Sequence, residues 1–243
     1  MTVAPTSVQR VRKRHRGSRW VLLAIVAVLV GGLTVALLDR DDVFGGPSST
    51  TVGSGVSATQ ARDVAAFRRV DLAGSNNVVI RVGERQSVVV RADDNLLDRV
   101  TTDVRSGELV IANTPGSLTT QSPMSVEVHV PTLTALTLTG SGNVVVNDIR
   151  AERLMVTLPG SGTLIGSGTA TRLDVTVSGS GAVQFTRLVA NDARAVVSGS
   201  GSIFITATES LDASVPGSGA IIYLGNPQDL SKSVTGTGAI IGS

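Results

Sequence analysis

One short glycine phrase recurs six times in the C-terminal half of the chain and constrains its fold more than any other feature. The phrase consists of a hydrophobic residue, any residue, glycine, serine or threonine, and glycine. Its first glycines are separated by 20, 19, 20, 18 and 19 residues. A near-constant period of this length is typical of a stacked array of one structural unit. Such an array repeats its surface, which favours a function in contacting another molecule.

Hydrophobic residues alternate with other residues on both sides of each phrase. Leu136 and Leu138 precede the first copy, and Val144 and Val146 follow it. Period-two alternation indicates strands with one buried face. The residues between the buried positions before each phrase form a mostly hydroxylated row, namely Thr137, Thr157, Thr176, Val196 and Ser214. The sequence therefore predicts an all-β fold, a single-stranded parallel β-helix (β-solenoid) of about 19 residues per coil.

The repeated glycines are predicted to form a fixed corner between two strands. Glycine permits positive φ and close approach of one backbone to another. A phosphate-binding loop is the competing interpretation, but that loop opens a helix, whereas each phrase here is followed by a strand pattern. The structural corner glycines are Gly140, Gly142, Gly160, Gly162, Gly179, Gly181, Gly199, Gly201, Gly217, Gly219, Gly236 and Gly238.

An apolar stripe is predicted on the outward side of the strand that follows the glycines. Five residues after the first glycine, five of the six copies carry a hydrophobic residue, and the exception is Gln184. Either another segment covers this stripe, with the N-terminal half as the candidate, or the stripe is a protein-contact surface. The candidate contact residues are Val145, Ile165, Phe204, Ile222 and Ile241.

The opposite corner, seven or eight residues before each glycine, is polar. It contains Arg153, Arg172, Asp192 and Asp229. Carboxylates on a β-helix raise the alternative of a carbohydrate-active enzyme. The charges differ in kind and do not converge, however, and Arg172 and Asp192 would lie about 4.8 Å apart in neighbouring coils. A solvated row of ion pairs is the simpler interpretation, so no catalytic residues are predicted.

Composition excludes several classes of site. The chain has no cysteine, so disulfides and thiolate metal sites cannot form. No metal or cofactor is expected. Six of the 21 Lys and Arg residues precede residue 20 and no acidic residue does, which leaves 15 basic and 19 acidic residues in 39–243, a net charge of −4. A mildly acidic domain argues against nucleic acid as a partner.

The N-terminal region predicts a membrane anchor. Residues 20–38 form an uncharged run of 19 residues, long enough for a transmembrane helix. Basic residues precede it, so the positive-inside rule assigns 1–19 to a cytoplasmic tail and the remainder to the outside. Residues 39–64 are predicted to be a flexible linker, and 65–243 the extracellular solenoid domain. The competing interpretation is a cleaved signal peptide.

The N-terminal half of the domain shows the same strand pattern with weaker repetition. Asp93, Asp94 and Asn95 favour turn and capping chemistry over a ligand site. His129 alternates with valines and has no obvious acidic partner in the sequence. This half is expected to supply the first coils and a cap.

At these residues the chain resembles a known family. The pattern runs from Phe67 through Gly74-Ser75, Val88–Val90, Ala92–Leu97, Gly107–Leu109 and Val126–Pro131 into the glycine repeats. It is similar to the head GIN domain of putative auto-transporter adhesins, over roughly residues 65–240. The resemblance implies an all-β solenoid and a bacterial cell-envelope location, and it brings no established catalytic residues.

Together these observations predict a membrane-anchored, extracellular, non-enzymatic module for surface adhesion or envelope interaction. A structural or signalling envelope protein that acts through the apolar stripe is a further alternative. The expected partners are the membrane and an envelope protein or surface glycan. Residues 234–243 complete half a coil without a polar capping element, so this edge is expected to be open to self-association.

Overall fold

The computed structural model describes residues 50–83 and 85–243 of the chain. The predicted tail 1–19, the predicted transmembrane helix 20–38 and residues 39–49 of the predicted linker lie outside this part. No helix within the described residues combines the length and the apolar character that crossing a membrane requires.

Seventeen strands and one 3₁₀ helix, Asp94–Arg99, make up the described secondary structure. The strands are β1 (Thr51–Val52), β2 (Ser57–Arg62), β3 (Arg69–Leu72), β4 (Asn77–Val82), β5 (Ser87–Asp93), β6 (Val100–Arg105), β7 (Glu108–Asn113), β8 (Leu118–Thr119), β9 (Ser125–Val130), β10 (Ala135–Leu138), β11 (Asn143–Leu158), β12 (Thr163–Val177), β13 (Ala182–Val197), β14 (Ser202–Val215), β15 (Ala220–Leu224), β16 (Asp229–Val234) and β17 (Ala239–Gly242).

The strands wind into a parallel β-solenoid of about five turns, which confirms the predicted fold class. The strand segments before the glycines stack into one parallel sheet, here called the leading sheet: β3, β10, the second halves of β11–β14, and β16. The segments after the glycines stack into the trailing sheet: β4, the first halves of β11–β14, β15 and β17.

A third, short side joins the two sheets and was not predicted. Ala151 pairs with Ala170, which pairs with Ala190, which pairs with Ala207. Register shifts occur between the trailing sheet and this side, for example between Val146 and Ile149. The offset between paired residues of β11 and β12 is 20 at Val146 and 19 at Ile149. Differences in coil length are therefore absorbed at this side, and both sheets keep their register.

Hydrophobic columns fill the interior between the sheets. Val144, Leu164, Val183, Ile203 and Ile221 occupy one register position in successive coils, and each is fully buried. Aliphatic side chains dominate because aromatic residues form only 2% of the chain. Burial of each such side chain contributes about 1.5–3 kcal/mol relative to exposure.

The corner glycines are required because backbones of successive coils touch. A Cβ at Gly199 would lie 2.1 Å from the carbonyl oxygen of Gly179, and one at Gly179 would lie 2.0 Å from that of Gly160. None of the twelve repeated glycines has a positive φ. The close approach therefore accounts for glycine here, and the positive φ that was also considered does not occur at these positions.

We predict that Gly199→Ala destabilises the solenoid by about 3 kcal/mol or more, because the methyl group would overlap rigid backbone. Gly107→Ala is the matched control, since Gly107 has φ +76 but nothing within 4 Å of an added Cβ. That variant should lose only about 1–2 kcal/mol through backbone strain. Urea denaturation followed by circular dichroism measures both values, and equal losses would contradict the explanation.

Antiparallel strands cap the N-terminal end of both sheets. In the trailing sheet, β9 pairs with β4 in parallel and with β5 in an antiparallel direction, and β2 adds to the far edge of β5. In the leading sheet, β7 pairs with β3 in parallel and with β6 in an antiparallel direction. The 3₁₀ helix connects the two sheets, and its Leu96 is fully buried.

The prediction of a flexible linker over 39–64 is wrong at residues 51–62. Thr51–Val52 pairs with Leu118–Thr119, and Ser57–Arg62 pairs with Ser87–Asp93. The composition of this segment resembles a linker, but its backbone is held by distant polar side chains. Asn95 accepts a hydrogen bond from the amide of Ser54 at 3.0 Å and donates one to the carbonyl of Val52 at 2.9 Å.

Asp93 is the centre of this polar anchor. Its carboxylate is buried and accepts main-chain hydrogen bonds from Gln121 at 2.9 Å, Gly55 at 3.1 Å and Ser122 at 3.1 Å. The bond from Gln121 is the main cause that lowers the pKa of Asp93 below its ordinary value of 3.8, against the opposing effect of burial. These bonds join the N-terminal segment to the loop after β8. They fit the predicted preference for turn chemistry, although Asp93 makes no side-chain cap of the 3₁₀ helix.

We predict that Asp93→Asn lowers the free energy of unfolding at neutral pH. The variant should also lose less of that free energy than the unaltered protein when the pH is lowered. Because the pKa of Asp93 is lower in the folded state, the ionised carboxylate stabilises the fold fully at pH values above 3.8. This stabilisation is lost as the pH falls through the pKa of Asp93 in the folded protein. Urea denaturation at pH values from neutral to about 2 measures the effect. Asp98→Asn, at an exposed aspartate in the 3₁₀ helix, is the control. An unchanged acid profile in Asp93→Asn would contradict the role of this carboxylate.

Candidate functional site

The predicted apolar stripe is one continuous row of the trailing sheet. Val145 pairs with Ile165, Ile165 with Gln184, Gln184 with Phe204, Phe204 with Ile222, and Ile222 with Ile241. The row also includes Val79, which pairs with Val145 in register and which the sequence analysis missed. From Val79 to Ile241 the stripe crosses seven strands, a length of about 29 Å at the usual strand spacing.

The stripe lies on the outer face of the sheet and stays accessible. Val79, Val145, Ile165, Phe204 and Ile222 are half-buried by their neighbours in the row, and Ile241 is 53% exposed. The cap strands extend the trailing sheet beyond β4, so the described part of the N-terminal half does not lie over the stripe. The neighbouring outward row is made of short side chains, which leaves the face flat: Asn143, Thr163, Ala182, Ser202, Ala220 and Ala239.

Charged residues end the stripe on its N-terminal side. Glu127 pairs with Val79 in the same row, and its carboxylate accepts a hydrogen bond from the guanidinium of Arg81. Nε2 of His129 lies 3.3 Å from the same carboxylate. The expectation that His129 has no acidic partner is therefore wrong, because the two residues lie on one face of β9, two positions apart. These charges mark where the apolar surface stops.

The polar corner of the leading sheet forms ion pairs in a different arrangement from the one predicted. Arg172 and Asp192 are register neighbours, as expected, but they form no ion pair with each other. Instead Arg153 donates two hydrogen bonds to the carboxylate of Asp174, at 2.7 and 3.0 Å, in the next coil and the adjacent outward row. Asp192 accepts a hydrogen bond from the hydroxyl of Ser210 at 2.6 Å.

The same corner is where an enzyme of this fold could place its carboxylates. A cleft of about 510 Å³ there contains Asp174, Asp192, Asp212 and Asp229. Three of these carboxylates contact a neighbouring side chain: Arg153 for Asp174, Ser210 for Asp192, and Arg194 for Asp212 at 3.8 Å. Across residues 50–83 and 85–243, no three His, Asp or Glu residues lie close enough to hold a metal ion. The corner is thus a row of surface pairs.

The last coil has two free strand edges, and a lysine side chain lies at one of them. β16 pairs only with β14, and β17 pairs only with β15 among the described strands. Lys232 occupies the inward register position below Ala213, and its ammonium lies 4.6 Å from the centre of the Tyr223 ring. An inward charge at a sheet edge opposes edge-to-edge pairing. Lys232 precedes residues 234–243, so the expectation that these residues lack a polar capping element and leave the edge open to self-association stays a prediction.

These features define a class of protein: a capped parallel β-solenoid with a flat apolar stripe on one sheet and charged pairs on the other. The family described as "Putative auto-transporter adhesin, head GIN domain" matches residues 66–227. The chain belongs to this family, as the resemblance in its sequence indicated.

Solved structures with the same fold come from bacteria. A "putative adhesin" from Bacteroides fragilis NCTC 9343 has 24% sequence identity and a TM-score of 0.68, covering 79% of this chain and 100% of its own. A "putative adhesin" from Parabacteroides distasonis ATCC 8503 has 21% identity and a TM-score of 0.52, with 80% and 100% covered. A "putative lipid binding protein" from the same strain has 22% identity and a TM-score of 0.51, with 80% and 100% covered.

These identities support the shared fold alone. No curated protein matches the chain.

Proposed function

We propose that the protein is a non-enzymatic interaction module of the cell surface, whose apolar stripe contacts a protein partner. The observation that carries this proposal is the in-register row from Val79 to Ile241, in which every residue except Gln184 is apolar. Family membership supports a surface location, since the family's description is "Putative auto-transporter adhesin, head GIN domain". The contacts of the corner carboxylates support a binding role over catalysis.

The geometry of the stripe suits a protein surface. Apolar side chains in one straight row, flanked by short side chains, can pack closely against another flat face. A row of this kind is unusual on an isolated soluble surface, because contiguous exposed apolar patches generally mark contact sites. The partner is either a second copy of this chain or another protein of the envelope.

We predict that a photo-crosslinking residue at position 204 of the full chain captures protein, whereas one at position 196 does not. Both positions face outward on half-buried sites, but Val196 lies in the hydroxylated row of the leading sheet. Mass spectrometry of the crosslinked product identifies the partner. The double variant Phe204→Asp with Ile222→Lys should reduce capture from position 165 by about tenfold or more. The reason is that a partner bound to the stripe would have to bury the two introduced charges.

The control for this variant is Val196→Asp with Ser214→Lys. It places the same opposite charges on neighbouring coils of the leading sheet, where Val196 and Ser214 are register partners. Circular dichroism should show that both double variants stay folded, because all four side chains face outward. Equal capture from position 165 in both variants, or no capture in the unaltered chain, would remove the proposal.

We also propose that residues 20–38 remain as an uncleaved membrane anchor. The length of the uncharged run and the basic residues before it support an anchor over a cleaved signal peptide. We predict that the mature protein begins within the first residues of the sequence and stays in the membrane fraction after alkaline extraction. Mass spectrometry of the mature N-terminus measures this directly, and a start near Leu37 would contradict it.

A further inference from the structure

A cluster of arginines surrounds a cleft near the N-terminal end of the leading sheet. The cleft has a volume of about 540 Å³, within the range of small-molecule sites. Four arginines line it, against a single lining carboxylate among the described residues, Glu152. The arginines are Arg68, Arg69, Arg150 and Arg153. The cleft lies on the leading sheet and the adjoining corner, so it is separate from the apolar stripe.

The backbone beneath this arginine cleft is rigid. The amide of Thr134 donates a hydrogen bond to the carbonyl of Arg68 at 2.9 Å, and the amide of Met155 donates one to the carbonyl of Thr134 at 3.0 Å. Three successive layers of the solenoid are therefore joined directly under the cleft. A ligand bound there would meet a preformed surface, which lowers the conformational cost of binding.

Two of the four arginines are held by the protein and two are not. Arg69 donates a hydrogen bond to the carbonyl of Ser106 at 2.6 Å, and Arg153 is paired with Asp174. Within residues 50–83 and 85–243, the guanidinium groups of Arg68 and Arg150 have no hydrogen-bond acceptor or ion-pair partner. These two free guanidiniums keep their donors available beside Arg69, whose charge has no carboxylate partner among the described residues.

Such a collection of like charges favours an anionic ligand. Positive charges in a concave site focus the local potential and attract anions. Guanidinium groups match the planar, two-oxygen geometry of carboxylates and phosphates better than ammonium groups do. The absence of a balancing carboxylate at Arg68 and Arg150 therefore points to an acid group supplied from outside.

The rest of the lining suits a sugar ring. The side chain of Met155 is 47% exposed, and Thr132 and Thr134 add hydroxyl groups. A sugar presents both an apolar ring face and hydroxyl groups, which such a mixed surface can contact. A bilayer surface is flat and broad, whereas these arginines lie around a concavity. The lining thus favours a chain-like ligand over a membrane.

We propose that this arginine cleft binds an acidic polysaccharide, with Arg68 and Arg150 contacting its carboxylate or phosphate groups. The proposal goes beyond the protein contact assigned to the stripe and does not depend on it. Arg69, which among the described residues is bonded only to a neutral carbonyl, adds to the positive potential, whereas the charge of Arg153 is offset by Asp174.

The test measures binding of the full chain, in a neutral detergent, to immobilised polygalacturonate and phosphomannan, with neutral mannan as the reference. The expected result is binding to at least one acidic polymer, weakening as salt rises, and little binding to mannan. Arg68→Gln with Arg150→Gln should weaken the acidic-polymer interaction by about tenfold or more, since two charge-assisted contacts are lost. Arg91→Gln with Arg187→Gln, at exposed arginines outside the cleft, should leave it unchanged.

Several results would overturn the proposal. These are failure of both acidic polymers to bind, equal binding of mannan, or equal losses in the two double variants. Phosphatidylcholine vesicles containing phosphatidylglycerol provide a further arm: vesicle binding that depends on Arg68 and Arg150, without polymer binding, would assign the cleft to lipid headgroups. The stripe variant Phe204→Asp with Ile222→Lys should bind the acidic polymer normally, so failure of the stripe and failure of the cleft are distinguishable.

Discussion

The contact of one backbone with the next at the glycine corner is the constraint on which the solenoid depends. Carbonyl oxygens of one coil lie too close to the next coil for a Cβ to fit there. A Cβ added to Gly160 would lie 2.1 Å from the carbonyl oxygen of Gly140, and one added to Gly217 would lie 2.3 Å from that of Gly199. Only glycine allows this approach without displacing the main chain. Because the approach repeats in each coil, both sheets stay in register while coil lengths vary between 18 and 20 residues. The length differences are taken up on the short side, where neighbouring coils shift register.

In-register stacking converts the sequence repeat into columns of like residues. Inward columns are restricted to apolar side chains by burial, so their variation is confined to size, as between Val183 and Leu164. Outward columns have no such restriction, because water accepts any polar group there. The same register therefore produces an apolar stripe on one sheet and charges of both signs on the other. A sequence change at an outward position alters the surface with little effect on the fold.

The sequence predicts the coil, its period and the glycine corner because each depends on local alternation and on one repeated residue type. The N-terminal cap could not be predicted in the same way. Residues 51–62 have a linker-like composition, and their order comes from Asp93, Asp94 and Asn95, about 40 positions away in sequence. The diagonal pair of Arg153 with Asp174 likewise depends on which row each long side chain reaches. The periodicity of the sequence identifies the row in which a residue lies. It does not identify the residue with which a long side chain forms a hydrogen bond or ion pair.

The apolar stripe and the arginine cleft differ in whether the sequence repeat reveals them. The stripe is a property of the repeat, since its members share one position relative to the glycine, and it can be found by aligning the copies. The arginine cleft has no repeat signature, because Arg68 and Arg69 come from the first coil while Arg150 and Arg153 come from β11. Stacking brings these residues together across more than 80 positions of sequence. A solenoid thus carries two kinds of surface: extended rows that arise from repetition, and local sites that arise where successive coils differ. Selectivity for a ligand is expected at the second kind, because an identical row offers the same contact at every coil and cannot fix the position of a ligand along the axis.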